Sequence, residues 1–174
     1  MLSIWKRPSP LGELTLAAED GALLGLWMEG QRYFGGGLGP LLPSAAATAE
    51  PVFLTASAWL DRFFARQEPG PLPPLRPGGT EFQRRVWVLL GEIPRGRTLN
   101  YGAVAALLAR AGTAASPRAV GGAVGRNPIA ILIPCHRVVG SDGLGGYAGG
   151  LERKKFLLAL EQDSAPVPSG QGWL

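Results

Sequence analysis

Along the first thirty positions apolar and polar residues alternate in three runs, LSIWKR, GELTLAAE and GALLGLWMEG, parted by the turn formers of PSPLG and EDG. A period of two with such breaks predicts a small antiparallel sheet. The period then changes. From Pro51 the apolar residues Val52, Phe53, Ala56, Trp59, Leu60, Phe63 and Phe64 fall at spacings of three and four, which predicts one amphipathic helix packed on that sheet. FGGGLGPLLPSAAATAE, between the two, is low in complexity and predicts a flexible connection. EPGPLPPLRPGG is neither helix nor inner strand, because proline lacks an amide proton and fixes its own torsion. It predicts an extended link that divides the chain into residues 1–79 and residues 80–174.

The second part is mostly helical in pattern. Thr80 and Gln83 form a capping box ahead of Phe82, Val86, Leu89 and Leu90, and IPRGR ends that helix. Asn100 caps a second helix, Tyr101 to about Arg110, with Gly112 placed to close it in a left-handed conformation. Ser116 and Pro117 open a third, which Pro128 stops. Two short helices joined by a few small residues, the second bearing arginine, resemble a helix-turn-helix. That second helix is built from Ala119, Gly121, Gly122 and Ala123. Each glycine costs a helix about 1 kcal/mol against alanine, so something must approach closely, either a neighbouring helix or a nucleic-acid backbone. GSDGLGGYAGG is a glycine-dominated loop, and LERKKFLLALEQ predicts a last helix with Leu151, Phe156, Leu157 and Leu160 inward and Arg153, Lys154 and Lys155 on its wet face. The tail DSAPVPSGQGWL reads as frayed.

Charge changes the picture only when it is divided. Residues 1–79 hold 6 basic and 7 acidic side chains, whereas residues 80–174 hold 11 basic and 6 acidic. Most of those bases are arginine, which suits phosphate contact, although a solvated basic surface fits the same count. No apolar run reaches the roughly 20 residues of a membrane span, and the start lacks a secretory centre, so the chain reads as soluble and cytoplasmic.

The chemistry gathers in ILIPCHRVV, which holds the only cysteine and the only histidine of 174 residues. One of each rules out an internal disulfide and leaves too few ligands for a structural zinc site, so no metal is expected. Ile129 to Ile133 predicts a buried strand or extended segment that ends at Pro134, leaving Cys135 where regular pairing stops. His136 is its neighbour. Consecutive residues of a strand face opposite ways, so thiol and imidazole can cooperate only through a bend or a bridging water. Glu161, on the last helix, is the candidate to hold the imidazole as proton acceptor. On local grounds alone the cysteine also reads as an inert core residue.

IPCHRVV, preceded by RAVGGAVGRNPIAILI and followed by GGYAGG and a leucine-rich helix, resembles the O6-alkylguanine-DNA alkyltransferases, the methylated-DNA:protein-cysteine methyltransferases. The resemblance runs from about Thr80 to Glu161; the first part of the chain matches in plan. It implies an α+β chain, with a ribonuclease-H-like sheet-and-helix domain followed by a winged-helix-like helix-turn-helix domain. It also implies irreversible, single-turnover transfer of an alkyl group from O6-alkylguanine in double-stranded DNA to Cys135, with no cofactor. By the same resemblance His136, through a water and supported by Glu161, deprotonates the thiol. Tyr101 moves the target phosphate and protonates the leaving guanine, and Arg118 fills the gap left by the extruded base. Ala119, Gly121, Gly122 and Ala123 lie in the minor groove. Asn127 ties the helix to the active segment, and Val138, Tyr147 and Ala148 wall the pocket, some relatives having serine at the last of these. Certain relatives bind zinc in the first domain; this chain has no cysteine or histidine there. A DNA-associated monomer, independent of membranes, is expected. Three rivals stand beside this reading: a non-repairing binder of alkylguanine, a helix-turn-helix regulator, and a cysteine hydrolase.

Overall fold

A computed structural model describes residues 1–162. The three alternating runs form strands β1 (Ser3–Arg7), β2 (Leu14–Glu19) and β3 (Ala22–Met28). They pair antiparallel in the order β1-β2-β3. The middle strand is buried on both faces. Leu14, Leu16 and Ala18 enter the main core, while Ala17 meets Ile4 and Trp27, on which Leu38 and Leu41 of the glycine-rich connection pack. Helix α1 (Pro51–Phe64) buries Val52, Phe53, Ala56, Trp59, Leu60 and Phe63, as its spacing predicts. Burial of an aliphatic or aromatic side chain contributes about 1.5–3 kcal/mol, so this stripe anchors the helix to the sheet.

Local caps set the helices that follow. In α2 (Glu81–Gly91) the Thr80 hydroxyl accepts from the Gln83 amide, and the Gln83 side chain accepts from the Thr80 amide. Asn100 accepts from the Ala103 amide at the start of α3 (Tyr101–Arg110), and Ser116 from the Ala119 amide at the start of α4 (Pro117–Gly125). Gly112 takes the left-handed conformation that closes α3 (φ 85°). The last helix, α5 (Leu151–Gln162), departs from the expected face. It buries Lys154, Leu157, Leu160 and Glu161, whereas Leu151 and Phe156 are exposed. The tail beyond Gln162 lies outside the described residues.

The outer edge of β3 joins the two parts of the chain. The proline-rich link runs along it, with the Leu23 amide donating to the Pro74 carbonyl at 2.8 Å and the Arg76 amide to the Leu23 carbonyl at 2.7 Å. Farther along, the Leu26 amide donates to Pro128 and the Ala130 amide returns to Leu26, each at 2.9 Å. An edge that would otherwise offer unpaired amides and carbonyls is thereby covered. The expected strand at Ile129 to Ile133 does not persist beyond this bridge. Ile131 turns into the left-handed region (φ 69°), costly for a β-branched residue, and the Ile133 amide bonds back to Ile129. Asn127 makes this turn possible. Its amide donates to the carbonyls of Ile129 and Ile133 at 3.3 and 2.8 Å, and its oxygen accepts from the Ile129 amide at 3.0 Å.

Candidate active site

Cys135 follows that turn directly and begins a single 3-10 turn, Cys135–Arg137, after which β5 (Val138–Val139) pairs in parallel with β4 (Leu99–Asn100). The turn breaks the strand-like alternation at Cys135 and His136, and the imidazole is directed to Glu161. Cys135 is 5% exposed, and burial pushes its thiol above the ordinary range. The Asn127 side chain, the nearby Lys154 charge and the Tyr147 hydroxyl oppose that rise by favouring the thiolate. His136 is wholly buried and its Nε2 lies 2.7 Å from Glu161 Oε1. Burial raises the Glu161 carboxyl, but hydrogen bonds from His136 and Arg137 outweigh it and bring the group to about 2. The carboxylate is therefore ionised at neutral pH, and Nε2 carries the proton it donates to it. Nδ1 is left bare. Burial also lowers the imidazole, so the ring is neutral, and Nδ1 is buried with no partner among the described residues. A neutral ring with one nitrogen fixed as donor has the other free as a proton acceptor.

Two basic residues complete this centre and neither was singled out from sequence. Arg137 holds Glu161 through Nε at 3.1 Å and Nη2 at 2.8 Å, and its Nη1 donates to the Ile93 carbonyl at 2.5 Å. Lys154, expected on the wet face, is fully buried instead. Its ammonium donates to the carbonyls of Val138 at 2.6 Å and Gly146 at 2.9 Å, pinning the glycine loop to β5. Desolvation lowers it to about 8, against the pull of Cys135. The missed signal was periodicity: Lys154 lies three residues before Leu157 and seven before Glu161, on one helical face. Arg153 is tied as well, to the carbonyls of Leu11 at 3.1 Å and Glu29 at 2.9 Å. Of the three, only Lys155 keeps the expected exposure, paired with Glu152 at 2.9 Å.

A cavity of about 340 Å³ opens beside the centre, with Tyr101, Gly121, Gly122, Tyr147 and Ala148 on its wall. Cys135 is not on that wall, but Tyr101 and Tyr147, which are, both interact with it. Burial and the neighbouring sulfur raise both phenols, so both are protonated at neutral pH. Gly145 adopts φ 70°, and a Cβ there would meet the Tyr101 ring at 3.1 Å, so the loop can lie on the tyrosine only as glycine.

Other expected site residues are placed differently. Val138 is buried in the core, away from the cavity wall, with its carbonyl taken by Lys154. Asn127 likewise lies off the wall and acts on the turn and the thiol. Ala123 is turned inward, 3% exposed, and its carbonyl accepts from Trp87 Nε1 at 2.9 Å, which corrects its grouping with the groove-facing residues. Arg118, Ala119 and Gly122 face outward. Among the described residues a Cβ on Gly122 would touch nothing within 4 Å, and on Gly121 it would make ordinary contact with Tyr101 at 3.7 Å, so packing against them does not call for these glycines. Among the described residues no group of histidine, cysteine and carboxylate side chains gathers as a metal site, and no helix is long and apolar enough to cross a membrane.

The model of the family "6-O-methylguanine DNA methyltransferase, DNA binding domain" matches residues 81–163. A methylated-DNA–protein-cysteine methyltransferase of Mycolicibacterium paratuberculosis is 45% identical over 91% of this chain and 92% of its own. One from Methanosarcina acetivorans is 43% identical over 88% and 94%. Among solved structures, Mycobacterium tuberculosis O6-methylguanine methyltransferase superposes with a TM-score of 0.80 at 40% identity, covering 95% of this chain and 96% of its own. The same organism's OGT in complex with DNA does so with a TM-score of 0.76 at 40% identity, over 92% and 93%. With the imidazole and carboxylate paired directly after the cysteine, and with these matches over most of the chain, the chain belongs to the methylated-DNA–protein-cysteine methyltransferase family.

Proposed function

We propose that this protein repairs DNA directly, taking the alkyl group of O6-alkylguanine onto Cys135 once per molecule. The observation that carries the reading is the neutral His136 ring, fixed as donor to Glu161 and bare at Nδ1, in the residue next to a buried thiol. Nδ1 accepts the thiol proton through a bridging water, and Glu161 and Arg137 hold the ring for it. The thiolate then attacks the alkyl carbon in line. The sulfur–carbon bond forms as the carbon–oxygen bond breaks, and the electron pair stays on the guanine oxygen. Tyr101, protonated at neutral pH, supplies a proton to the departing guanine. The thioether is stable, and turnover ends there.

The cavity lies within the lower part of the range of about 300–1,000 Å³ common to ligand sites, which suits one base rotated out of the stack. Tyr147 packs on that base and the Ala148 backbone reads its edge. Gly121, Gly122 and Ala119 let α4 settle into the minor groove, and Arg118, which makes no hydrogen bond or ion pair among the described residues, stacks in the gap. On this reading residues 1–79 form the ribonuclease-H-like domain and residues 80–174 the winged-helix-like one, acting as a monomer inside the cell without cofactor.

Intact mass after incubation with a duplex holding O6-methylguanine tests the proposal. The expected result is a gain of one methyl group on Cys135, lost in Cys135→Ala and absent with undamaged DNA. Continued release of product without a gain in mass would mark a cysteine hydrolase; binding without either would mark a non-repairing recognition protein.

A further inference from the structure

Opposite α4, the cavity rim comes from the first part of the chain. Arg32 and Tyr33 stand on it beside Arg126 of the second part. Two cations lie over the Tyr33 ring, with the Arg126 guanidinium 4.4 Å and that of Arg32 4.9 Å from its centroid. All three residues are exposed, and among the described residues neither guanidinium has a hydrogen bond or a carboxylate partner. Among the described residues no carboxylate lines the cavity. Two like charges gathered about one ring repel each other, and each stacking contact returns only about 0.5–1 kcal/mol at an exposed site. The arrangement gains when an anion sits between them.

The loop is also held still. The Arg32 amide donates to the Ala148 carbonyl at 2.9 Å, and buried Gln31 accepts from the Met28 amide at 2.7 Å. Tyr33 itself is left-handed (φ 59°), a conformation a bulky residue adopts only when its surroundings impose it. We infer that Arg32 and Arg126, gathered at Tyr33, clamp backbone phosphates of the strand whose base enters the cavity, so that the first part of the chain is itself a DNA-binding surface. This rests on the proposed function for the identity of the ligand.

Binding of Cys135→Ala protein to an undamaged duplex, followed against salt, isolates the clamp from the chemistry. Each phosphate contact contributes about 0.9 to the slope of log K against log salt, so Arg32→Ala and Arg126→Ala should each lower that slope by about 1. Tyr33→Leu, which keeps both charges but removes the platform, should weaken binding several-fold and leave the slope unchanged. In the reactive protein, Arg32→Ala and Arg126→Ala should slow reaction with the duplex but not with free O6-methylguanine base. Unaltered slopes overturn the inference, as does equal slowing toward base and duplex, which would assign the arginines to the pocket's shape. Failure of the parent protein to become methylated would instead sink the proposed function, and the salt slopes would still judge the clamp.

Discussion

The two sides of this site are built on opposite principles. Around His136, Glu161, Arg137 and Lys154 nearly every polar atom is buried and partnered, whereas the guanidiniums of Arg118, Arg32 and Arg126, all exposed residues, have no polar partner among the described residues. Charges withdrawn from water must satisfy one another, and their geometry is then fixed before any ligand arrives. Charges left in water hold nothing in place and are free to take phosphate. The difference teaches where preorganisation resides: on the proposed reading the proton-transfer groups are fixed by the chain itself and need only a bridging water, whereas the recognition surface is completed by its ligand.

The sharpest way to break this contrast is Glu161→Gln. It leaves the Arg137 guanidinium uncompensated in the interior and loosens the hold on His136, with an expected cost of about 3–5 kcal/mol in denaturant unfolding and a loss of alkyl transfer of at least about a hundredfold. The same carboxylate sets an acid limit. Folded Glu161 titrates near 2 against 4.5 for the free group, so its contribution, roughly 3 kcal/mol, is complete above pH about 4.5 and disappears as the pH falls toward 2. The Glu161→Gln protein should lack that acid-dependent loss.

Lys154→Met comes next. Removing a buried cation near the sulfur should slow alkyl transfer at pH 7 by about ten- to a hundredfold. Because Lys154 loses its proton near 8, the ratio of parent to variant rates should shrink above that pH. A ratio independent of pH would mean that the side chain serves only to pin the glycine loop.

On the open side, losses should be smaller and should spare the fold. Arg118→Ala should slow repair several-fold more than it weakens nonspecific duplex binding; equal losses would refute gap filling. Gly122→Ala is the mildest and sharpens the comparison most. It should raise helix stability by up to about 1 kcal/mol, since nothing lies within 4 Å of the added carbon, while lowering duplex affinity. Unchanged affinity would show that the groove does not meet α4 there.

The features legible in the sequence are those made by neighbours along the chain. Thr80, Asn100 and Ser116 cap the helices they precede because each needs only a residue three positions on. The α1 stripe is legible because one period covers fourteen residues. Cys135, His136 and Glu161 were recognisable by type, and the fold brings the last two together across 25 positions. Lys154 was misread because a lysine on a helix ordinarily faces water, and only the carbonyls of Val138 and Gly146 explain its burial. The Tyr33 rim was invisible for a similar reason: its partner Arg126 is remote in sequence. The turn at Ile131 escaped because a run of aliphatic residues says nothing of the Asn127 amide that bends it.

The hydrogen bonds that β3 makes with Pro128 and Ala130 have a practical consequence for anyone hoping to shorten this protein. One continuous core spans both parts, so a fragment begun at Thr80 would lose the sheet that backs its reactive segment and bare apolar surface over the same stretch. Such a truncation should clump in solution even with its whole nucleophile-bearing motif intact, and the first seventy-nine residues are better regarded as a foundation than as a detachable appendage.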